Sequence, residues 1–454
     1  MEGNSLSSYR EFLESKTPDR KLLGFKPVWI PDFLFDFQRH LVEWAVRQGR
    51  CALFEDCGLG KSVQELVWAE NILRKEGGSV LLLTPLAVGM QMVREGEKFG
   101  IEVNRTRNGE VRRGINVTNY QQLHKYRPED FVAVIADESS ILKNFDGKTR
   151  RAITEFFSKV KYRLLCTATP APNDFMELGS SSEALGAMGR NSMLGMFFTN
   201  DGESTQQWRL KGHARTRFWQ WMATWARAVR KPSDLGFDDG KFKLPPLEVR
   251  EHRVESPIRK GQGFFAMPAL GLSEQRREKR DTLETRCEKV AEILPKDKSC
   301  IAWCQLNDEA DLLEELIPGA VQVAGSDPDE QKEEKLNAFP LGQIRVLVSK
   351  PTIAGFGLNY QHCSDVSYFP THSHEQFYQA IRRCWRFGQG NPVSCNLVYS
   401  EAEGEILSNM LRKEKAAKDM YAGICREMGS VLERRAESNG EVDVEIPGWL
   451  GKFS

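Results

Sequence analysis

Two short stretches, far apart in the chain, carry the residue types that phosphate chemistry needs. The first is Gly58-Leu59-Gly60-Lys61-Ser62. Its glycines let backbone N–H groups close on phosphate oxygens, and a helix opening there adds its dipole. Lys61 would reach the phosphates and Ser62 would hold Mg²⁺. Glu55 stands where the broader eight-residue pattern has its leading glycine. The second stretch is Gln379–Gln389 (QAIRRCWRFGQ), which puts Arg383 and Arg386 one helical turn apart on the same helix face. Planar, permanently charged guanidinium groups suit the charge that spreads over a transferring γ-phosphate. A phosphate cradle so far from its arginines predicts one ATP site built between two lobes.

Further candidates lie between them. Asp137 and Glu138 follow the apolar run Phe131–Ala136. An acid at the end of a buried strand would hold Mg²⁺ through water, and its neighbour would orient or polarise the attacking water. Thr167-Ala168-Thr169-Pro170 would bridge these carboxylates to the other lobe. Gln38 offers both a donor and an acceptor to an adenine edge. The glycines of Gly355-Phe356-Gly357-Leu358-Asn359 permit close backbone approach to sugar, phosphate or the partner lobe. Gly357 and Gln379 therefore join Gln38, Gly58, Leu59, Gly60, Lys61 and Ser62 as candidate nucleotide contacts.

Phe218, Trp221, Met222, Trp225 and Val229 fall on one helical stripe and read as core. The same region holds Arg209, Lys211, Arg215, Arg217, Arg227, Arg230 and Lys231, with no acid between Glu203 and Asp234. That is either a solvated face or a basic surface for a phosphate backbone, with Arg227 and Arg230 as the candidate contacts.

The elements that must position these residues read as an α/β pattern. Apolar runs at Cys51–Phe54, Val80–Thr84, Ile115–Thr118, Phe131–Ala136 and Tyr162–Cys166 alternate with helical segments, as in a parallel sheet covered by helices. A second series has a charged helix at Glu274–Leu294. Its strands lie near Cys300–Cys304, Val321–Val323, Val346–Ser349, Val366–Phe369 and Ser394–Tyr399, and a helix covers 401–428. The expected division is a peripheral segment 1–24, a first lobe 25–178, an insertion or linker 179–273, a second lobe 274–430 and a polar tail 431–454. At 454 residues, two domains plus an insertion fit the length. The composition, 40% hydrophobic and 28% charged, is that of a soluble globular protein, and no run is long and apolar enough for a membrane span. Net charge is zero, which argues against indiscriminate coating of nucleic acid and leaves local basic patches open. The ten cysteines form no CxxC pair and read as buried free thiols, which points to a reducing cytoplasm.

Together these motifs resemble superfamily 2 helicases, most closely the Swi/Snf-like (DEAD/DEAH-related) ATPases, over roughly residues 30–410. FEDCGLGKS looks like that family's phosphate loop, and TPLAVGMQMVREGEKF and VTNYQQL like the segments that follow it. ADESSILKNFDGKTRRAI resembles its acidic motif and LLCTATPAPN the next. KPTIAGFGLNY and QAIRRCWRFGQ resemble the last two. FWQWMATWARAVRKPSDLGFDDGKFKLPPL is similar to compact phage and bacterial members. The acidic motif departs from the family in reading DESS, and Trp385 stands where relatives carry histidine.

The resemblance implies two tandem RecA-like lobes with a helical insertion, and ATP hydrolysis with Mg²⁺ coupled to movement along nucleic acid. Lys61, Asp137, Glu138, Arg383 and Arg386 would be catalytic, with Ser62 and Asp137 at Mg²⁺. Thr84, Lys143 and Asn144 would touch the track. DNA is expected as partner, duplex favoured and single-stranded possible, in replication, recombination or repair. No protein partner is legible. A strand-separating DNA or RNA helicase and a phosphate-loop ATPase acting on proteins remain as alternatives. Arg382 reads as a local contact, not a catalyst.

Overall fold

The computed structural model describes residues 22–143, 147–171, 174–200, 208–255, 280–355 and 358–437. Asn144 and Gly357 lie outside them. In the first lobe the strands are β1 (Arg50–Glu55), β2 (Ser79–Thr84), β3 (Val103–Arg105), β4 (Gly114–Asn119), β5 (Ala133–Asp137) and β6 (Tyr162–Thr167). A small antiparallel pair follows, β7 (Phe198–Asn200) with β8 (Trp208–Leu210), and then β9 (Ala226–Val229). The parallel sheet runs β3-β4-β2-β5-β6-β1-β9. Its central strands β2, β5 and β6 are buried along their whole length. They are therefore continuous apolar runs with no alternation, as strands covered on both faces must be.

The second lobe contributes β10 (Leu247–Val254), β11 (Cys300–Trp303), β12 (Ala320–Val323), β13 (Val346–Ser349), β14 (Asp365–Tyr368) and β15 (Val393–Ser400). They form another all-parallel sheet, in the order β10-β15-β14-β11-β13-β12. Two helix-flanked parallel sheets of this kind agree with the expected tandem RecA-like lobes. Apolar clusters lie on both faces of each sheet. All ten cysteines are buried and free. Among the described residues no helix is long and apolar enough to cross a membrane.

The stretch expected as insertion behaves differently from its expectation. Its residues Ala226–Val229 pair with β1 and complete the first sheet, and Leu247–Val254 pair with β15 at the edge of the second. The aromatic helix covers only Arg215–Ala223, so Trp225 and Val229 are not on it. They are nevertheless buried, as are Phe218, Trp221 and Met222, so the core reading holds while the single helical stripe does not. The long helix Gly404–Glu437 crosses back from the second lobe. Its Ile424, Cys425 and Met428 enter the first lobe's core, and Tyr421 donates its OH to the carbonyls of Phe54 (2.6 Å) and Val229 (3.2 Å).

Candidate active site

The turn between β1 and the helix Lys61–Glu76 has Gly58 at φ 89° and Gly60 at φ 83°, a region open to glycine and costly for other residues. Space excludes a side chain there as well. A Cβ on Gly60 would lie 2.3 Å from Gln38 Nε2, and one on Gly58 would lie 2.9 Å from the backbone N of Phe387 in the other lobe. Lys61 folds onto its own loop, donating to the carbonyls of Glu55 (2.9 Å) and Asp56 (3.3 Å). Burial alone would lower its pKa, but Cys57, Glu138, Glu55 and Asp137 together raise it, so the ammonium stays charged. Ser62 is half-buried in the first helical turn, and Leu59 is buried. Gln38 Nε2 donates to Leu59 O (2.7 Å) and Gln38 Oε1 accepts from Phe35 N (3.0 Å), so Gln38 braces the loop.

Asp137 ends β5 and Glu138 follows it in a left-handed turn at φ 53°. That conformation is costly for a non-glycine residue. It is held by Glu138 N donating to Asp137 Oδ1 (2.9 Å) and by Tyr120 OH donating to Asp137 O (2.5 Å). Burial, followed by the neighbouring Glu138, pushes the Asp137 carboxyl up to about 7. Glu55 is also pushed up to about 7 by burial. At the end of β6, Thr169 N donates to Thr167 Oγ1 (3.1 Å).

The second lobe closes over this surface. The helix His374–Ile381 ends before the arginines, which stand on tight turns and not on a shared helix face. The i→i+3 bonds from Arg383 N to Ala380 O and from Cys384 N to Ile381 O tighten the chain there. The two side chains converge all the same, since Arg383 Nη1 (3.1 Å) and Arg386 Nη1 (3.3 Å) both donate to Leu358 O. Arg383 reaches across to Glu138, with Nη2 4.0 Å from Oε1. Gln379 is fully buried and accepts from Arg383 through its side chain (2.7 Å) and its carbonyl (2.9 Å), so it aims that arginine. Burial and then the adjacent Arg383 lower the Arg386 pKa to about 10.

Among the buried polar atoms with no hydrogen-bond partner among the described residues are Glu138 Oε2, Thr169 Oγ1, Gln379 Nε2 and Arg386 Nε. Unpaired buried polar groups are costly, and a polar ligand reaching them would offset that cost. With the glycine cradle, Lys61, Ser62 and Asp137, they fit a nucleoside triphosphate carrying Mg²⁺.

The expected track contacts fare unevenly. Thr84 is buried at the end of β2 and donates to Pro85 O (3.0 Å), and it lines a small cleft with Arg105, Thr118 and Asn119. Lys143 makes an ion pair with Glu375 of the second lobe. Arg227 is not at the surface. It is 8% exposed, donates to Ala223 O (2.6 Å) and Ala226 O (2.9 Å), and lies over the Trp44 ring. Arg230 is paired with Asp234 at 3.1 Å. The Arg227 guanidinium serves the local fold, while the half-exposed Arg230 is held by its acid neighbour. Arg382, read as a local contact, instead pairs across the lobes with Asp56.

Residues 285–388, most of the second lobe with the arginine block, match the helicase conserved C-terminal domain family. The chain is 28% identical over 190 residues to a bovine (Bos taurus) protein named DNA annealing helicase and endonuclease ZRANB3, covering 38% of this chain and 18% of that one. It is 29% identical over 174 residues to helicase SWR1 of Cryptococcus neoformans, covering 33% and 14% respectively. It is also 29% identical over 172 residues to a Xenopus laevis SWI/SNF-related regulator of chromatin, subfamily A-like protein 1, covering 35% and 17%. These matches liken the chain to helicases of superfamily 2, in the Swi/Snf-like group. The chain matches less than a fifth of the length of those relatives. Within the group's pattern, the role of Gln379 in aiming Arg383 and the Asp56–Arg382 pair were not legible from residue types. The acid one residue before Cys57 and the extra arginine beside Arg383 were the available signals.

Proposed function

We propose that the chain is an ATP-dependent motor that hydrolyses ATP to move along DNA, duplex favoured. The observation that carries this reading is the meeting of Lys61, Asp137 and Glu138 from one lobe with Arg383 and Arg386 from the other, around buried polar atoms that lack partners. The names of the matched relatives, two helicases and a chromatin regulator, support DNA as the track.

In this reading the glycine turn and Lys61 bind the β- and γ-phosphates. Ser62 and Asp137 would hold Mg²⁺, which supplies charge neutralisation at the phosphates. Glu138 has one carboxylate oxygen toward Arg383 and the other unpaired, so it can accept a proton from, or orient, an attacking water. Arg383 and Arg386 stabilise charge on the transferring group, and their presence depends on how the lobes sit. Hydrolysis therefore alters what holds the lobes together, and that alteration is what a motor converts into movement.

Lys61→Ala and Glu138→Gln should each abolish DNA-stimulated hydrolysis while leaving the fold intact by circular dichroism. Full turnover in either variant contradicts the site assignment. Hydrolysis indifferent to added DNA would favour an ATPase acting on proteins.

A further inference from the structure

Asp56 and Arg382 form an ion pair buried between the lobes, and the proposed chemistry does not use it. Asp56 belongs to the phosphate loop. Its Oδ1 also accepts from Tyr378 OH (2.5 Å) and from Cys57 N (2.7 Å). Arg382 is 2% exposed, donates to Trp385 O (3.3 Å), and lies over the rings of Trp385 (4.9 Å) and Tyr378 (5.5 Å). We infer that Asp56, Arg382 and Tyr378 are positioning residues, an interlobe latch that seats Arg383 and Arg386 against the phosphate loop before a nucleotide arrives. The inference rests on the ATPase reading of the same site.

Three points of geometry support it. Arg382 is the immediate neighbour of Arg383, so anchoring one guanidinium on the phosphate loop fixes the backbone from which the other projects. The loop carbonyl of Asp56 accepts from Lys61, so the same residue ties the phosphate-binding lysine to the second lobe. The block also packs three guanidiniums together. A carboxylate on Arg382 removes one repulsive charge and leaves Arg383 and Arg386 for the phosphates. Two aromatic rings beside the guanidinium and a carboxylate partner suit arginine better than lysine. Breaking such a buried pair from one side leaves an uncompensated charge, so the latch should open when either partner is neutralised.

The test uses the full chain without nucleotide and then with ATP and duplex DNA. Small-angle X-ray scattering should show a larger radius of gyration for nucleotide-free Asp56→Asn and Arg382→Gln, and a smaller increase for Tyr378→Phe, which removes one hydroxyl and spares the fold. The Asp56→Asn/Arg382→Gln double variant should be no more open than the worse single variant, because the two residues act as one contact. Turnover should fall on the order of 10²-fold in the charge variants, with little change in KM for ATP, because misplaced arginines cost the transition state and not substrate binding. Arg382→Lys should restore part of the closure. Scattering unchanged in all three single variants overturns the latch, and opening with unchanged turnover overturns its positioning role. A wild-type protein that hydrolyses no ATP defeats the ATPase reading, while the scattering still decides the latch.

Discussion

The Asp137 carboxyl shows how one residue records the purpose of its site. Its usual value of 3.8 is raised to about 7 by burial and then by Glu138, because a carboxylate there has no water to face. The folded chain therefore favours the protonated acid. The stabilisation from that preference is complete below 3.8 and is lost as pH climbs through 7. Asp137→Asn keeps the carbonyl oxygen that accepts from Glu138 N and removes the buried charge. Without Mg²⁺, its melting temperature should exceed wild type by ~2–4 °C at pH 8, with a smaller gain at pH 5.5. An equal gain at both values would show that Asp137 is ionised without penalty. Lys61, Asp137 and Glu138 were legible in the sequence because each directly follows, or opens, an element with a strong pattern. The bonds by which Gln379 takes the Arg383 guanidinium on its side-chain and backbone oxygens were not legible, because nothing in its spacing reveals them.

Among the elements, the central strands were readable to within a residue or two because burial on both faces makes them plain apolar runs. The edge strands were not. Leu247–Val254 reads LEVREHRV and is mostly exposed, so its pairing with β15 has little sequence signature. Ala226–Val229 is a short edge strand hidden among tryptophans and arginines, and its partner β1 precedes it by most of the first lobe. These two strands place two interior parts of the expected insertion, 179–273, inside the sheets. Arg227 belongs to this scale, since its guanidinium ties β9 to the preceding helix end and to Trp44. Arg227→Ala should destabilise the fold by about 1–3 kcal/mol in denaturant melts. Its affinity for DNA, and the salt dependence of that affinity, should match wild type. A reduced salt slope would instead return Arg227 to the basic surface.

At the scale of the molecule, the two lobes are joined by contacts of different kinds around one cleft. Arg107 pairs with Glu330 (3.1 Å) and Glu333 (3.2 Å), Arg215 pairs with Glu427 (3.0 Å), and Phe387 of the second lobe packs into the first lobe's core. Trp385 donates to Pro245 O (2.7 Å) and packs against Arg382. The lobe arrangement was foreseeable from the distance between the glycine loop and the arginines. The contacts that hold it were not, because each joins residues with no periodic or motif relation. In the proposed function, Arg383 and Arg386 complete a site begun by Lys61, Asp137 and Glu138. Steady-state ATP hydrolysis, with and without duplex DNA, in wild type and in Arg383→Ala and Arg386→Ala, tests that claim most directly. Duplex DNA should stimulate the wild type, more than single-stranded DNA or RNA does, and each arginine variant should lose on the order of 10³-fold in turnover while still binding ATP. Turnover unchanged in both variants would contradict a site shared between the lobes.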